Sequence, residues 1–206
     1  MKKILFTFII LLSINLSADD HIRPEQGAFT SLYVSASDVD KYVSFLRKNS
    51  DAFKAIGSSD AGVCITRSGN QYPGQMMIWN AFPSVEAAMI GSLKYDPYKA
   101  TGPISNLRNI KHSTIWKSLK SFRLEPGHEI VGRFKVKQEN ISSFVKAMDS
   151  LEKEIQDNGH PDFFNGVFVS IAGGAESQTL KVRSITSSAS DQGKICLLYT
   201  SPSPRD

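Results

Sequence analysis

The feature that most constrains the fold of this chain is an internal duplication. A shift of 102 residues brings the apolar positions and one glycine of a first segment onto those of a second segment. The matched pairs are Leu32 with Phe134, Val34 with Val136, Val39 with Ile141, Tyr42 with Phe144, Val43 with Val145, Leu46 with Met148, Phe53 with Ile155 and Gly57 with Gly159. With a shift of 104 they continue as Gly62 with Gly166, Val63 with Val167, Ile65 with Val169, Gly69 with Gly173, Met76 with Leu180, Ile78 with Val182 and Ser84 with Ser188. Similarity at a nearly fixed spacing predicts one structural unit present twice.

The first unit is predicted as β-α-β-β-α. Short alternating stretches predict strands over residues 28–34, 62–66 and 76–81. Apolar residues at helical spacing predict a helix from residue 39 that ends at Gly57, and Ser84 is a suitable cap for a second helix. We expect a loop over residues 94–109. Residues 112–124 suit a helix, whereas the topology requires a closing strand near residues 118–124.

The second unit repeats this order but stops early. Strands are predicted over residues 129–136, 166–171 and 180–185, with a helix over residues 141–157. The sequence resembles the first unit only up to the point where its second helix should begin. We therefore expect the second repeat to be truncated.

The last eleven residues have an unusual sequence. Residues 196–206 resemble the translation of a sequencing adapter, so we expect them to be foreign to the natural protein. A genuine Ser/Pro-rich tail is the alternative. The predicted domains are then a first repeat over residues 28–124, a second repeat over residues 125–195 and an adapter-derived segment over residues 196–206.

The first residues resemble a secretory signal. Lys2 and Lys3 precede 13 mostly apolar residues, and Ser17 and Ala18 supply the small residues of a cleavage site. This apolar run is shorter than the roughly 20 residues that span a bilayer. We predict a signal peptide over residues 1–18, a linker over residues 19–27 and an exported protein, periplasmic or secreted. A retained anchor helix is the alternative, and we expect no stable membrane anchor.

Charge and cysteine content limit the binding partners and the disulfide bonds that we expect. The chain has 24 Lys and Arg and 20 Asp and Glu; removing Lys2, Lys3, Arg205 and Asp206 leaves 21 and 19. A net charge of about +2 gives no reason to expect a nucleic-acid partner. Without the tail, Cys64 is the remaining cysteine, so we expect no intrachain disulfide.

The predicted unit is similar to a known fold. A β-α-β-β-α-β unit is ferredoxin-like. Two such units in tandem, with the strand-to-helix junction Trp79-Asn80-Ala81-Phe82-Pro83-Ser84-Val85-Glu86-Ala87-Ala88, resemble the dimeric α+β barrel superfamily. The resemblance implies an α+β fold in which two sheets pack face to face, often around a small-molecule site. Its members include cofactor-free monooxygenases, haem enzymes, isomerases and proteins of no known reaction.

Strand alternation assigns the two faces of these sheets. One face is apolar in both copies and should meet the helices. On the opposite face the first copy carries Phe29, Ser31, Tyr33, Cys64, Thr66, Met77 and Trp79. The second copy carries Val131, Arg133, Lys135, Phe168, Ser170, Lys181 and Arg183. If the sheets face each other, they enclose a cleft with an aromatic wall and a cationic wall.

Such a cleft suits a small organic anion, an aromatic or amphipathic carboxylate or phosphate. The predicted ligand-binding residues are Tyr33, Trp79, Arg133, Lys135, Lys181 and Arg183. Two alternatives stay open. The cationic face is simply solvated, as one face of an antiparallel sheet often is, or Tyr33 and Trp79 anchor another protein chain.

No cofactor or metal is predicted. Cys64 is most simply a small buried apolar residue, and the four histidines His21, His112, His128 and His160 lack metal-ligand spacing. An enzyme of this kind is expected to be a cofactor-free oxygenase or isomerase, with Tyr33 and Trp79 positioning the substrate and Arg133 or Arg183 stabilising negative charge. The competing class is a non-catalytic interaction or assembly protein, and a homo-oligomer is a further expectation.

Overall fold

The computed structural model describes residues 22–23, 27–172 and 174–200. The predicted signal peptide, residues 1–18, and residues 201–206 of the adapter-like tail lie outside the described residues. The strands are β1 (Ile22–Arg23), β2 (Ala28–Ala36), β3 (Asp60–Ile65), β4 (Gln75–Phe82), β5 (Arg108–Ser118), β6 (Phe122–Arg123), β7 (His128–Phe134), β8 (Phe164–Ala172) and β9 (Leu180–Thr186). The α-helices are α1 (Val39–Lys48), α2 (Asp51–Ala55), α3 (Val85–Leu93), α4 (Pro103–Leu107), α5 (Ile141–Asp157) and α6 (Ala189–Thr200). Short 3₁₀ helices cover Pro97–Lys99, Gln138–Asn140 and Gly174–Glu176.

Seven strands form one antiparallel sheet in the order β3-β4-β2-β5-β8-β9-β7, and β1 pairs separately with β6. The sheet is strongly curled. Four strands separate β3 from β9 in this order, a span of roughly 24 Å in a flat sheet at about 4.8 Å per strand. Nevertheless a guanidinium nitrogen of Arg183 on β9 lies 3.5 Å from Sγ of Cys64 on β3. The architecture is therefore a mixed α/β fold whose curled sheet fits an α+β barrel.

The helices begin where capping chemistry predicts. Oδ1 of Asp38 accepts a hydrogen bond from the backbone N–H of Lys41 at 2.9 Å, and Oγ of Ser84 accepts one from Ala87 at 3.1 Å. Each bond satisfies an amide that the first helical turn leaves unpaired. Gly57 has a φ of +87°, the left-handed conformation that glycine adopts most easily at the end of a helical segment.

The outer face of the sheet packs against helices, as its apolar alternation predicts. Val34, Met76 and Ile78 are buried against Tyr42 and Leu46 of α1. The other half of the molecule has a smaller cluster that joins α5 to α6 through Ile155, Phe163 and Ile195.

A buried lysine ties α5 to the sheet. Nζ of Lys120 lies 2.7 Å from Oε2 of Glu152 and 3.2 Å from Oδ1 of Asp149, both on α5. It also donates to the backbone oxygen of Asn165 on β8 at 3.0 Å. Oε2 of Glu152 in turn accepts from the backbone N–H of Asn165 at 2.7 Å. The charge of Lys120 is thus compensated inside the protein.

Two sequence predictions are wrong in position. The closing strand of the first unit is β5, which runs from residue 108 to 118 and not from 118 to 124. It pairs with β2 along its length, and a register shift opposite Tyr33 and Val34 interrupts its alternation. The second correction concerns the end of the second unit. Helix α6, which the sequence did not predict, begins at Ala189 within the second unit and continues into the adapter-like residues as far as Thr200.

Candidate functional site

The inside of the curled sheet has an apolar end. Phe29 on β2 meets Phe168 on β8 edge to face at 5.5 Å between ring centroids, and Trp79 on β4 at 6.2 Å. Trp116 on β5 belongs to the same buried cluster. A Cβ built on Gly62 would lie 2.4 Å from Cζ2 of Trp79, so the indole ring covers this glycine on the neighbouring strand. The sheet has therefore closed around aromatic rings.

The rest of the interior is charged. We call its residues the interior cluster: Tyr33, His112, Glu129, Arg133, Glu176, Lys181 and Arg183. They come from β2, β5, β7, the 3₁₀ helix Gly174–Glu176 and β9. Because strand side chains alternate, the inward positions of β9 are 181 and 183, and those of β7 are 129, 131 and 133.

Lys181 lies at the centre of the interior cluster and is only 3% exposed. Its Nζ donates to Oη of Tyr33 at 3.1 Å and contacts Sδ of Met77 at 3.7 Å. The same nitrogen lies 4.0 Å from the centroid of the Trp116 ring, a cation–π contact. Among the described residues, no carboxylate oxygen lies within 4.0 Å of it. The ammonium is thus held by neutral groups.

The two arginines of the interior cluster are paired. Nε of Arg183 lies 2.9 Å from Oε2 of Glu129. Nε of Arg133 lies 3.0 Å from Oε2 of Glu176, and His112 approaches the other oxygen of this carboxylate at 3.8 Å. The imidazole also stacks on the ring of Tyr33 at 4.2 Å. The charges of the two guanidiniums and the two carboxylates cancel, so the positive charge of Lys181 has no counter-ion within the interior cluster.

Burial shifts the acid–base behaviour of this interior. Desolvation, assisted by the positive charge of Arg183, lowers the pKa of Lys181 to about 7. Desolvation, with the negative charge of Glu176, raises the pKa of Tyr33, so the phenol stays protonated. Burial also raises the pKa of Cys64 to about 11 and lowers that of His112. A neutral amine beside a protonated phenol is therefore accessible near neutral pH.

A small cavity of about 10 Å³ adjoins these groups. Its lining consists of Phe29, Ser31, Trp79, Trp116, Phe168, Lys181 and Arg183. Nε1 of Trp116 and Oγ1 of Thr114 are buried without a hydrogen-bond partner among the described residues. Buried polar groups usually have partners; of these two residues, Trp116 lines the small cavity, and Thr114 lies two residues before it on β5. A larger groove of about 390 Å³ lies outside, between α1, α2 and β3, away from the interior cluster.

Four of the six predicted ligand-binding residues, Tyr33, Arg133, Lys181 and Arg183, come together in the interior cluster. Trp79 lines the adjoining cavity. Lys135 follows the end of β7 and is exposed, outside the cluster. Lys181 and Arg183 are only 3% and 7% exposed, whereas Arg133 and Lys135 are exposed, so the face is buried on β9 and solvated on and just beyond β7.

Sequence reasoning overlooked several members of the site. His112, Thr114 and Trp116 alternate onto one face, a signal that was hidden because their segment also suited a helix. Glu129 lies on the same face of β7 as Arg133 and could have been identified from the sequence in the same way. Glu176 lies in a 3₁₀ turn, where periodicity gives no signal.

The interior cluster does not fit a haem, and no metal-binding group is found among the described residues. No group of three or more His, Cys, Asp or Glu side chains in the described part of the chain could hold a metal. His112 is the histidine of the interior cluster, and its ring is stacked on Tyr33 beside a cavity of about 10 Å³. A macrocycle has no room there.

Comparisons with known proteins give a fold and no family. No family model and no curated protein match the sequence. Among solved structures, an anthrone oxidase-like protein has a TM-score of 0.54 at 14% identity, over 90% of this chain and 82% of that one. A mutant chlorite dismutase from Candidatus Nitrospira defluvii has a TM-score of 0.55 at 8% identity, over 87% and 84%. A proposed monooxygenase from Lactobacillus acidophilus has a TM-score of 0.50 at 10% identity, over 83% and 81%.

At these low identities the likeness shows a shared fold, and it agrees with the curled sheet described above. In the part of the chain that the structure describes, no helix is long and apolar enough to cross a membrane. The protein has the fold of an α+β barrel with a charged interior.

Proposed function

We propose that the protein binds a small organic anion inside the curled sheet, at Lys181. The observation that carries this proposal is the uncompensated ammonium. A charge buried without a counter-ion is strongly unfavourable, and the carboxylates of the interior cluster are occupied by Arg133 and Arg183. A bound anion would supply the missing negative charge.

The surroundings favour a flat or aromatic anion with oxygen acceptors. The indole N–H of Trp116 and the hydroxyl of Thr114 have no partner in the described structure and can donate to such oxygens. Phe29, Trp79 and Phe168 supply aromatic walls. Because a cavity of about 10 Å³ accommodates roughly one water, ligand entry requires side chains to move. Arg133, whose side chain is 41% exposed, is the cluster residue nearest to solvent.

The strand order supports the tandem repeat that underlies this proposal. Within residues 28–124 the strands lie side by side as β2-β4-β3, which is the order first, third, second, and β5 lies on the other side of β2. Within residues 125–195 the strands β7-β9-β8 have the same order of first, third and second. In both, a glycine on the second strand pairs with an inward residue on the third, Gly62 with Trp79 and Gly166 with Arg183. We infer two ferredoxin-like repeats whose inward faces have diverged. We further propose that residues 1–18 direct export, which N-terminal sequencing of the expressed mature protein would test.

A cofactor-independent oxygenase is the second candidate, favoured by the amine of Lys181 beside Tyr33. Two structural neighbours are described as an anthrone oxidase-like protein and a monooxygenase. In such a reaction the neutral amine would remove a proton from an acidic C–H₂ group of an aromatic substrate. The carbanion would reduce O₂, one oxygen atom would become a carbonyl on that carbon, and the other would leave as water.

Calorimetric titration with naphthoate and benzoate tests the anion site. We expect binding to the native protein and a loss of roughly 10-fold to 100-fold in Lys181→Met, because a charge-assisted hydrogen bond contributes about 1.5–3 kcal/mol. Lys135→Met is the matched control and should bind as the native protein does. Equal affinity in all three proteins would overturn the proposal. Oxygen uptake with an anthrone, lost in Lys181→Met, would identify the second candidate.

A further inference from the structure

We propose that Lys181 forms a Schiff base with a small 2-oxo carboxylate bound in the interior. This inference rests on the proposed anion site and names both the substrate class and the chemistry. A 2-oxo acid offers a carbonyl carbon to the amine and a carboxylate to the unpartnered donors nearby.

The first argument is the nature of the contacts around Nζ. A lysine held by a carboxylate remains an ammonium and is not nucleophilic. Lys120 is buried too, and Glu152 lies 2.7 Å from its nitrogen. Lys181 is equally buried and instead contacts a phenol, a thioether and an indole ring. Removing its proton leaves the interior cluster neutral.

The charged and titratable groups that face Lys181 come from every element packed around it. They are Tyr33 on β2, Cys64 on β3, His112 on β5, Glu129 and Arg133 on β7, Glu176 on the 3₁₀ helix and Arg183 on β9 itself. Burial and the guanidinium of Arg183 both lower the pKa of the amine, in agreement with a nucleophile that is available at neutral pH.

The second argument is the proton donor. Tyr33 lies 3.1 Å from Nζ and stays protonated because it is buried. In the condensation, nitrogen bonds to the carbonyl carbon and the carbonyl oxygen leaves as water with the two hydrogens of the amine. Tyr33 can relay one of these protons to the departing oxygen and recover it from the nitrogen. No oxidant or reductant is needed.

The third argument is the pair of unpartnered donors. Thr114 and Trp116 lie on the inward face of β5, and the Trp116 ring is already in contact with Nζ. Two residues along a strand are about 7 Å apart, so a short carboxylate between them would bring a neighbouring carbonyl within reach of the amine.

Reductive trapping tests the inference on the native full chain. The protein is incubated with pyruvate and sodium cyanoborohydride, and the labelled lysine is located by peptide mass mapping. We expect one adduct, on Lys181, while Lys120 in the same molecule serves as the buried and paired control. Labelling confined to exposed lysines, or equal labelling of Lys120, would overturn the proposal without any variant that must fold.

The pH dependence of the trapping rate and two variants test the proposal further. The trapping rate should rise roughly tenfold from pH 6 to pH 8 and then level off, whereas an ordinary lysine keeps rising towards its pKa of about 10.4. Tyr33→Phe should slow trapping but still allow it. Lys181→Arg should abolish trapping, because a guanidinium stays protonated and forms no Schiff base. Binding without trapping in the native protein would refute the Schiff base and leave the anion site standing; neither binding nor trapping would refute both.

Discussion

Lys181 is the residue that sets the charge of the interior of the curled sheet. It is surrounded by neutral groups, although two glutamates lie in the same cluster, because each glutamate already holds a guanidinium. Arginine forms such forked pairs better than lysine, whose compact ammonium deprotonates more readily when it is buried. The competition between three cations for two carboxylates therefore leaves the lysine as the titratable member.

This competition predicts a pH dependence of stability. The folded-state pKa of Lys181, about 7, lies below its unfolded value, so between these values the unfolded chain binds more protons and stability rises with pH. Between pH 7 and pH 9 the native protein should gain up to about 3 kcal/mol relative to Lys181→Met. Urea unfolding of both proteins at several pH values measures this difference. Parallel stability curves would contradict it.

Sequence reasoning found the cations of the site and overlooked their counter-ions. Arg133, Lys181 and Arg183 stood out because the corresponding positions of the first copy are not cationic. Glu129 and Glu176 did not stand out, since acidic residues at a strand start and in a turn have ordinary explanations. The site was therefore expected to hold four free cations, whereas two of them are neutralised within the chain.

At the scale of elements, the buried side chain of Lys120 connects α5 to the sheet by two ion pairs and a hydrogen bond. Lys120 lies between the helix and β8, with carboxylates on one side and a backbone oxygen on the other. Its removal leaves Glu152 partly buried without its cation, although the amide of Asn165 still donates to it. The contact is therefore more than a surface ion pair.

We predict that Lys120→Met destabilises the fold by about 3 kcal/mol, because removing one charge of a buried ion pair leaves the other charge without its counter-ion. Lys153→Met removes an exposed pair with Asp157 on the same helix, where the two side chains are 76% and 64% exposed. This control should change stability by less than about 0.5 kcal/mol. Chemical denaturation of the three proteins gives the comparison, and similar losses in both variants would refute the special role of Lys120.

For the molecule as a whole, the exposed surface of α3 is the clearest interaction feature. Met89, Ile90 and Leu93 are exposed on this helix, Leu93 to 88%, and Tyr98 lies exposed just beyond it. Apolar side chains clustered on a surface commonly mark a site of protein association. A homo-oligomer is an expectation of the sequence analysis, so we take a second copy of the chain as the occupant to be tested.

We therefore predict that the protein self-associates through α3. Light scattering should give a mass above that of one chain, and Leu93→Glu should return it to one chain because a carboxylate cannot be buried without a partner. Leu197→Glu is the control, since Leu197 is exposed on α6 and should not affect association. A monomeric native protein would rule out this interface.

Most of the fold could be predicted from periodicity. The strands of both halves, the long helix over residues 141–157 and the apolar outer face agree with the structure. The position of β5 could not be predicted, because its register shift interrupts the alternation that identifies a strand. The filled interior could not be predicted either, since the closeness of two sheet faces depends on how far the whole sheet curls.

Because the sheet curls without closing into a ring of paired strands, a slit runs along its length between its two edge strands. Within the described residues, β3 and β7 are the terminal strands of the sheet, and each pairs with one neighbour. A tube that is slit along its length resists bending but twists far more easily than a closed one. A small twist can widen the slit beside Arg133 without breaking any bond between strands. We therefore expect a ligand to enter between these two edge strands, on the side of the interior where Arg133 is exposed.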